Sequence, residues 1–126
     1  VTKLYVPVDY NFIALLEALK KYEHFMSFHK YKHNYDYYLA LLIMNNKFYM
    51  TDGSLLLTEN EALFTPVAQI NYSYYTDLNQ LKKELIQNAD IQCITGENFV
   101  AFGSAQSPSL SDYADDVDTL AFLLNI

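Results

Sequence analysis

The segment 67–87, with the sequence VAQINYSYYTDLNQLKKELIQ, shows most clearly how this chain is built. Its first part, Val67–Tyr75, is rich in β-branched and aromatic residues and predicts a strand. Thr76 or Asp77 then predicts the N-cap of a helix that ends near Gln87. Leu78, Leu81 and Leu85 recur at helical spacing and indicate the buried face of that helix. A strand followed directly by an amphipathic helix is typical of α/β proteins.

The same alternation of strands and helices extends over the rest of the sequence. Before this segment it predicts a strand over Lys3–Val8 that ends near Pro7. A helix from Tyr10 to about Glu23, capped by Asp9, follows, and a second helix covers Asn34–Met44. Two short strands are then predicted within Lys47–Thr58, around the turn Asp52-Gly53. After it the sequence predicts short strands over Ile91–Ile94 and Phe99–Phe102, and a last helix that starts at Ser109 or Ser111. We therefore expect a single α/β unit over residues 1–126, with at least part of its sheet parallel.

The composition narrows the class of protein further. The 126 residues carry a formal net charge of −7, and all 8 basic residues are Lys. Because nucleic acids are bound by basic surfaces, we expect no nucleic-acid partner. Hydrophobic residues make up 52 % of the chain, which is enough for one core, but the longest apolar helical candidate, Tyr37–Met44, stops at Asn45-Asn46 and is too short for a membrane span. Without a recognisable signal peptide, the sequence favours a cytoplasmic location.

Two groups of polar residues have spacings that can bind metals. His29 and His33 lie four apart, with His24 and Asp36 nearby, but no third ligand is evident and exposed histidines are the preferred interpretation. Asp112, Asp115, Asp116 and Asp118 suggest a calcium loop, yet the Gly and the distal Glu of an EF-hand loop are missing. These acids are better explained as the charged start of a helix. We expect no specifically bound metal.

The sequence alone contains no complete active site. Cys93 lies in the β-rich run Ile91-Gln92-Cys93-Ile94, which supplies neither a helix N-terminus nor an adjacent base to activate its thiol, so we expect a buried structural cysteine. There is no phosphate-binding Gly loop and no G-x-S-x-G elbow. The tyrosines around Tyr37 and Tyr74 are interpreted as packing residues of a helix and a strand.

The C-terminal run 101–124, AFGSAQSPSLSDYADDVDTLAFLL, resembles the end of the acyl-CoA reductase family, the LuxC-type relatives of the fatty-acid reductase of bacterial luminescence. The residues that match the family pattern are Phe102, Gly103, Gln106, Pro108, Leu110, Asp112, Tyr113, Ala114, Asp115, Val117, Asp118, Thr119, Phe122 and Leu123. Asp116 stands where the family has Gly. The segments 34–38 and 61–66 are also similar to this family, so the resemblance covers nearly the whole chain.

That family is in turn similar to the aldehyde dehydrogenase superfamily. Lys3–Pro7 resembles the strand that follows the catalytic Cys there, and 63–67 resembles a segment whose Phe packs against the nicotinamide. The resemblance therefore implies that Phe64 lines the cofactor side of the site. Ala62 stands where the superfamily has the Glu that holds the nicotinamide ribose, and Glu61 lies one place earlier. Phe102 and Gly103 resemble the segment beside the substrate tunnel.

The resemblance implies a chain that is the C-terminal half of an aldehyde-dehydrogenase-like catalytic domain. The parent enzyme would reduce a fatty acyl thioester, on coenzyme A or an acyl-protein, to the aldehyde through an acyl-Cys intermediate, with NADPH as reductant. The nucleotide-binding part and the nucleophilic Cys are expected upstream of Val1, so this chain holds no catalytic residue and is expected to be inactive alone. Acyl transfer on the same scaffold and a non-enzymatic interaction domain are the alternatives. Because a cut sheet exposes strand edges, we expect a homo-oligomer.

Overall fold

A computed structural model of the chain describes residues 1–110, 112–113 and 117–125. They fall into two compact units, 1–76 and 77–126, each of which is described by itself. The first holds all of the named strands, and the described part of the second holds two helices. The expectation that 1–126 forms one part of a larger catalytic domain stays a prediction.

A four-stranded mixed sheet forms the centre of the first unit, which confirms the predicted α/β class with a partly parallel sheet. Its strands are β1 (Lys3–Pro7), β2 (Met50–Thr51), β3 (Leu56–Glu59) and β4 (Gln69–Tyr75), arranged in the order β1-β4-β3-β2. The central strand β4 is parallel to both β1 and β3, whereas β2 and β3 form the predicted antiparallel hairpin around Asp52-Gly53. A relationship of this sheet to aldehyde dehydrogenases stays a prediction.

The first helix is shorter than predicted and has a different cap. Helix α1 covers Phe12–Leu19, and the side chain of Asn11 accepts a hydrogen bond from the Ile13 amide at 3.0 Å. The predicted cap Asp9 is therefore wrong, because Asn11 directly precedes the first apolar residue of the helix. Beyond Leu19 the chain forms a 3₁₀ helix, Lys20–Ser27, instead of continuing to Glu23 as α-helix. The aromatic residues Tyr22 and Phe25 of this helix and its C-cap Phe28 recur every three residues, which matches the three-residue turn of a 3₁₀ helix.

Helix α2 covers His29–Met44, so it begins at His29 instead of the predicted Asn34. Its first turn forms without an apolar periodicity, because local polar contacts stabilise it. The Lys32 amide donates to the Phe28 carbonyl at 3.0 Å, and the Lys32 ammonium lies 2.7 Å from Asp36, one turn further on. The helix ends before Asn45, as predicted, and Asn46 takes a left-handed conformation with a φ of 50°.

The two faces of the sheet bury separate apolar clusters. On one face Val6, Leu57 and Tyr72 pack with residues of α1, and on the other Leu56 and Ala68 pack with Tyr35 and its neighbours on α2. Leu56 and Leu57 are adjacent in β3 and fully buried, since successive side chains of a strand point to opposite faces. Each helix therefore covers one face of the sheet.

The second unit begins with helix α3, Leu78–Gln87, and the predicted cap Asp77 is confirmed. Its carboxylate accepts from the Asn79 and Gln80 amides at 2.8 and 3.2 Å. The strands predicted over Ile91–Ile94 and Phe99–Phe102 are wrong, since this part of the chain forms only an isolated bridge between Thr95 and Val100. Gly96 and Asn98 have positive φ values of 151° and 67°, and such residues interrupt an extended strand.

The last helix, α4, covers Thr119–Leu124 and starts later than predicted. Its cap is Asp118, whose carboxylate accepts from the Ala121 amide at 2.8 Å. Ser109 does not start a helix, because its amide donates to the Asp112 carboxylate at 2.6 Å in a loop. The alternative start, Ser111, lies outside the described residues. Among the helices of the described chain, none combines the length and the apolar character needed to cross a bilayer.

Candidate functional site

The central strand β4 carries a polar row on the face opposite α1. This row consists of Gln69, Asn71 and Ser73, which alternate with Ile70 and Tyr72. Ile70 and Tyr72 point to the α1 face of the sheet, where the ring centroids of Tyr72 and Phe12 are 4.6 Å apart. Asn71 and Ser73 are nonetheless buried, with exposed fractions of 2 % and 3 %. Because a buried polar group without a partner costs about 1–3 kcal/mol, these side chains need hydrogen bonds inside the protein.

Those hydrogen bonds go largely to the chain that connects β3 to β4, residues 60–68, called here the crossover segment. The Asn71 amide nitrogen donates to the carbonyl of Ala62 at 2.9 Å and to that of Phe64 at 3.5 Å. Thr65 closes the end of the segment, since its hydroxyl donates to the Gln69 carbonyl at 2.8 Å. The crossover segment therefore rests on the polar row through its own backbone.

The lysine of β1 completes this contact. Lys3 is the register partner of Asn71, and its ammonium donates to the Asn60 carbonyl and to the Ser73 hydroxyl. It also lies 3.9 Å from the Glu61 carboxylate, and its side chain is only 5 % exposed. Burial lowers the pKa of Lys3, and the nearby Glu61 charge opposes that shift in part.

A second set of hydrogen bonds joins β3 to the same row. Thr58 donates to the Asn71 side-chain oxygen at 2.9 Å, and the Gln69 amide nitrogen donates to the Thr58 hydroxyl at 3.0 Å. Within 1–110, 112–113 and 117–125, no buried side-chain nitrogen or oxygen lacks a hydrogen-bond partner. The side chains of the polar row thus find all their hydrogen-bond partners within the protein, and they hold the backbone of the crossover segment.

The crossover segment has two large apolar side chains at the surface, Phe64 and Val67, and Phe64 is the more exposed. Phe64 is 69 % exposed, although its carbonyl faces Asn71. An exposed ring on a held backbone can pack against a flat apolar ligand. This is the residue for which the sequence resemblance implies a nicotinamide contact, and that role stays a prediction.

The other sequence-predicted site residues lie in the second unit. Phe102 is 82 % exposed, and Gly103 follows it in a turn with a φ of 86°. The Ser104 amide donates to the Ala101 carbonyl at 3.0 Å and closes that turn. The predicted position of Phe102 and Gly103 beside a substrate tunnel remains untested.

The structure corrects the environment of Cys93, which is exposed instead of buried. The sequence prediction assumed a strand over Ile91–Ile94, and the chain there is irregular. Without a sheet to cover it, the thiol stays at the surface of the second unit beside apolar residues such as Ile91 and Phe99.

The candidate metal ligands do not gather into a cluster in the described part of the chain. His29 and His33 share a face of α2 with their rings 6.2 Å apart, and both are exposed. No group of three or more His, Cys, Asp or Glu residues suited to a metal occurs among residues 1–110, 112–113 and 117–125. The hydrogen bond from Ser109 lowers the pKa of Asp112, Asp118 caps α4, and Asp115 and Asp116 lie outside the described residues.

The support formed by Lys3, Asn60, Asn71 and Ser73 was missed at the sequence level. The alternation of polar residues in 69–73 was visible, but such alternation normally indicates a solvent-facing side of a strand. The crossover segment closes over this face and supplies hydrogen-bond partners of Asn71. A lysine at the start of an otherwise apolar strand was the available signal.

Comparisons with protein-family models, with curated proteins and with solved structures find no match for this chain. A function must therefore be argued from the chain's own residues and from their geometry. Two features enter that argument: the sequence pattern of the C-terminal run and the exposed Phe64 on its supported segment.

Proposed function

We propose that this chain is the C-terminal part of the catalytic domain of an NADPH-dependent acyl-CoA reductase. The observation that carries the proposal is the run 101–124, in which the residues from Phe102 to Leu123 resemble the end of that family. The mixed sheet with parallel strands on both sides of β4 is compatible with an aldehyde-dehydrogenase-like domain.

In the proposed reaction a Cys thiolate attacks the carbonyl of a fatty acyl thioester and coenzyme A leaves as its thiolate. NADPH, when bound, supplies the hydride that turns the acyl group into an aldehyde and releases the Cys thiolate. By the resemblance of Lys3–Pro7, the nucleophile precedes β1, and Cys93 does not take its place. The residues of this chain contribute the walls of the site.

The residues present fit a nicotinamide in part. The exposed Phe64 ring offers an apolar surface for one face of the nicotinamide, and the supported crossover segment keeps its backbone in place. Ala62 offers no carboxylate to the ribose hydroxyls, so the ribose would be held by other residues. The role of Phe102 and Gly103 beside an acyl tunnel is proposed from the sequence resemblance alone.

The experiment is an assay of the full gene product with a long-chain acyl-CoA, following NADPH absorbance, aldehyde formation and free thiol together. The proposal predicts that NADPH is consumed in step with aldehyde, and that the 126-residue chain alone gives neither. Thiol release without NADPH consumption would instead establish acyl transfer. Absence of both activities in the full gene product would favour an interaction domain.

The proposed role of Phe64 has a matched test in the same assay. Phe64→Ala should raise the KM for NADPH about tenfold, because an apolar aromatic contact is worth about 1–2 kcal/mol. Phe48→Ala removes a ring of similar exposure, 72 %, from the surface and should leave the KM unchanged. Equal effects of the two substitutions would contradict a nicotinamide contact at Phe64.

A further inference from the structure

Three backbone carbonyls of the crossover segment, at alternate residues, accept hydrogen bonds from side chains of the sheet. The Lys3 ammonium donates to the carbonyl of Asn60, and the Asn71 amide nitrogen donates to those of Ala62 and Phe64. Inside the segment, the Asn60 side chain also accepts from the Ala62 amide at 2.9 Å. A loop without helix or strand thus has its backbone held at Asn60 and Ala62, with a longer contact of 3.5 Å at Phe64.

We propose that Lys3 and Asn71 are positioning residues that hold the crossover segment and so fix the Phe64 ring at the surface. Their role in catalysis rests on the proposed function, in which that ring packs against the nicotinamide. Neither side chain offers much surface to a ligand, since the Lys3 side chain is 5 % exposed and Asn71 is 2 % exposed. They act on a ligand only through the backbone that they hold.

The chemistry of the two side chains suits this role. An ammonium offers three donors and an amide nitrogen offers two, and the partners here are backbone carbonyls and a hydroxyl. Hydrogen bonds from charged donors are about twice as strong as neutral ones. Lys3 and Asn71 are register partners on neighbouring strands, so the sheet itself sets the spacing between the two donors.

The remaining contacts keep both donors pointed at the segment. Thr58 donates to the Asn71 side-chain oxygen, which leaves the nitrogen of the same amide to face Ala62 and Phe64. Ser73 accepts from Lys3 and also donates to the Asn60 carbonyl at 3.3 Å. Glu61 is 89 % exposed, and we expect its distant ion pair with Lys3 to matter little because water screens it.

The first test measures amide hydrogen exchange within residues 61–65 of this chain, and its probe is the Ala62 amide, which donates to the Asn60 side chain. Lys3→Met shortens the unbranched side chain by one atom and removes its donors, and Lys47→Met makes the same change at an exposed lysine. We expect exchange of 61–65 to become about tenfold faster in Lys3→Met and to stay unchanged in Lys47→Met, with the amides of α1 protected equally in both.

Further variants guard against a loss of folding. Ser73→Ala removes one partner of Lys3 at a small cost in volume, and Asn71→Asp replaces the donor nitrogen by an acceptor; both should accelerate exchange at 61–65. Asn79→Asp is the matched control on α3, where Asn79 is exposed. Exchange at 61–65 that stays at the wild-type rate in the folded Lys3 and Ser73 variants would overturn the proposal.

The second test separates this proposal from the proposed function. In the full gene product, Lys3→Met should raise the KM for NADPH several-fold with a smaller change in kcat, as expected when a binding surface loses its place. Faster exchange at 61–65 together with an unchanged KM would overturn the role of the segment in cofactor binding. If exchange at 61–65 is faster in Lys3→Met but the full gene product never consumes NADPH, the proposed function is overturned. The role of Lys3 in holding the crossover segment is then still established.

Discussion

Tyr72 shows how a single buried residue couples this sheet to pH. It is 2 % exposed, and its ring contacts those of Phe12 and Tyr74, with ring centroids 4.6 and 5.6 Å away. Burial, together with the nearby Tyr74 and Glu59, raises the pKa of Tyr72 to about 12. The folded chain therefore keeps this phenol protonated at a pH where the unfolded chain has lost its proton.

The shift of Tyr72 predicts a loss of stability at high pH. Below the unfolded pKa near 10, the protonated Tyr72 makes its full contribution to the free energy of unfolding. This contribution, up to about 3 kcal/mol, is lost as the pH rises toward about 12. Urea unfolding between pH 9 and pH 12 measures it. Tyr72→Phe should flatten this decline, whereas Tyr37→Phe, at a ring that is 59 % exposed, should keep it. Parallel pH profiles for wild type and Tyr72→Phe would contradict the assignment.

At the scale of elements, the start of α1 depends on one side chain. The Asn11 carboxamide accepts from the Ile13 amide, and Asp9, two residues earlier, is exposed and is not the cap. Helix α1 covers one face of the sheet through Phe12, Leu15 and Leu16. Loss of its cap should therefore be felt in the stability of the whole first unit.

The cap can be tested by two alanine substitutions. Asn11→Ala should lower the free energy of unfolding by about 1 kcal/mol, the usual cost of removing an N-cap side chain. Asp9→Ala should change it by less than about 0.5 kcal/mol, as surface substitutions do. Urea unfolding of both variants checks the pair, and a larger loss in Asp9→Ala would reverse the assignment.

The sequence predicted the elements whose signals are local. Strand β1, the Asp52-Gly53 hairpin, strand β4 and the Asp77 cap of α3 all lie where the pattern of residues predicted them. The errors include a local one, the cap at Asp9, and one that depends on packing, the strand predicted over the irregular chain around Cys93. Burial of Asn71 was beyond prediction, because it depends on a segment that crosses the sheet.

At the scale of the molecule, the sheet of the first unit has two edge strands, β1 and β2. The whole chain carries a formal net charge of −7. Strand β2 has only two residues, Met50–Thr51, so β1 is the longer edge. A strand edge can pair with a second copy of the chain. Like charges on two copies oppose that pairing, and salt screens the repulsion.

We therefore expect the isolated chain to form a dimer or a larger species, more completely at high than at low salt. Multi-angle light scattering at 0.05 and 0.5 M NaCl measures the mass against the 14.6 kDa of one chain. The mass should rise with salt concentration because the Debye length falls below about 5 Å. A monomer at both salt concentrations would contradict the prediction.

The most direct test of the proposed identity is the nucleotide sequence of the gene immediately before the codon of Val1. If the chain is the C-terminal part of an acyl-CoA reductase, a Cys codon lies within a handful of codons upstream, and a Gly-rich nucleotide-binding region precedes it. A start codon that adjoins Val1, with no such Cys, would contradict the proposal and describe a free-standing domain.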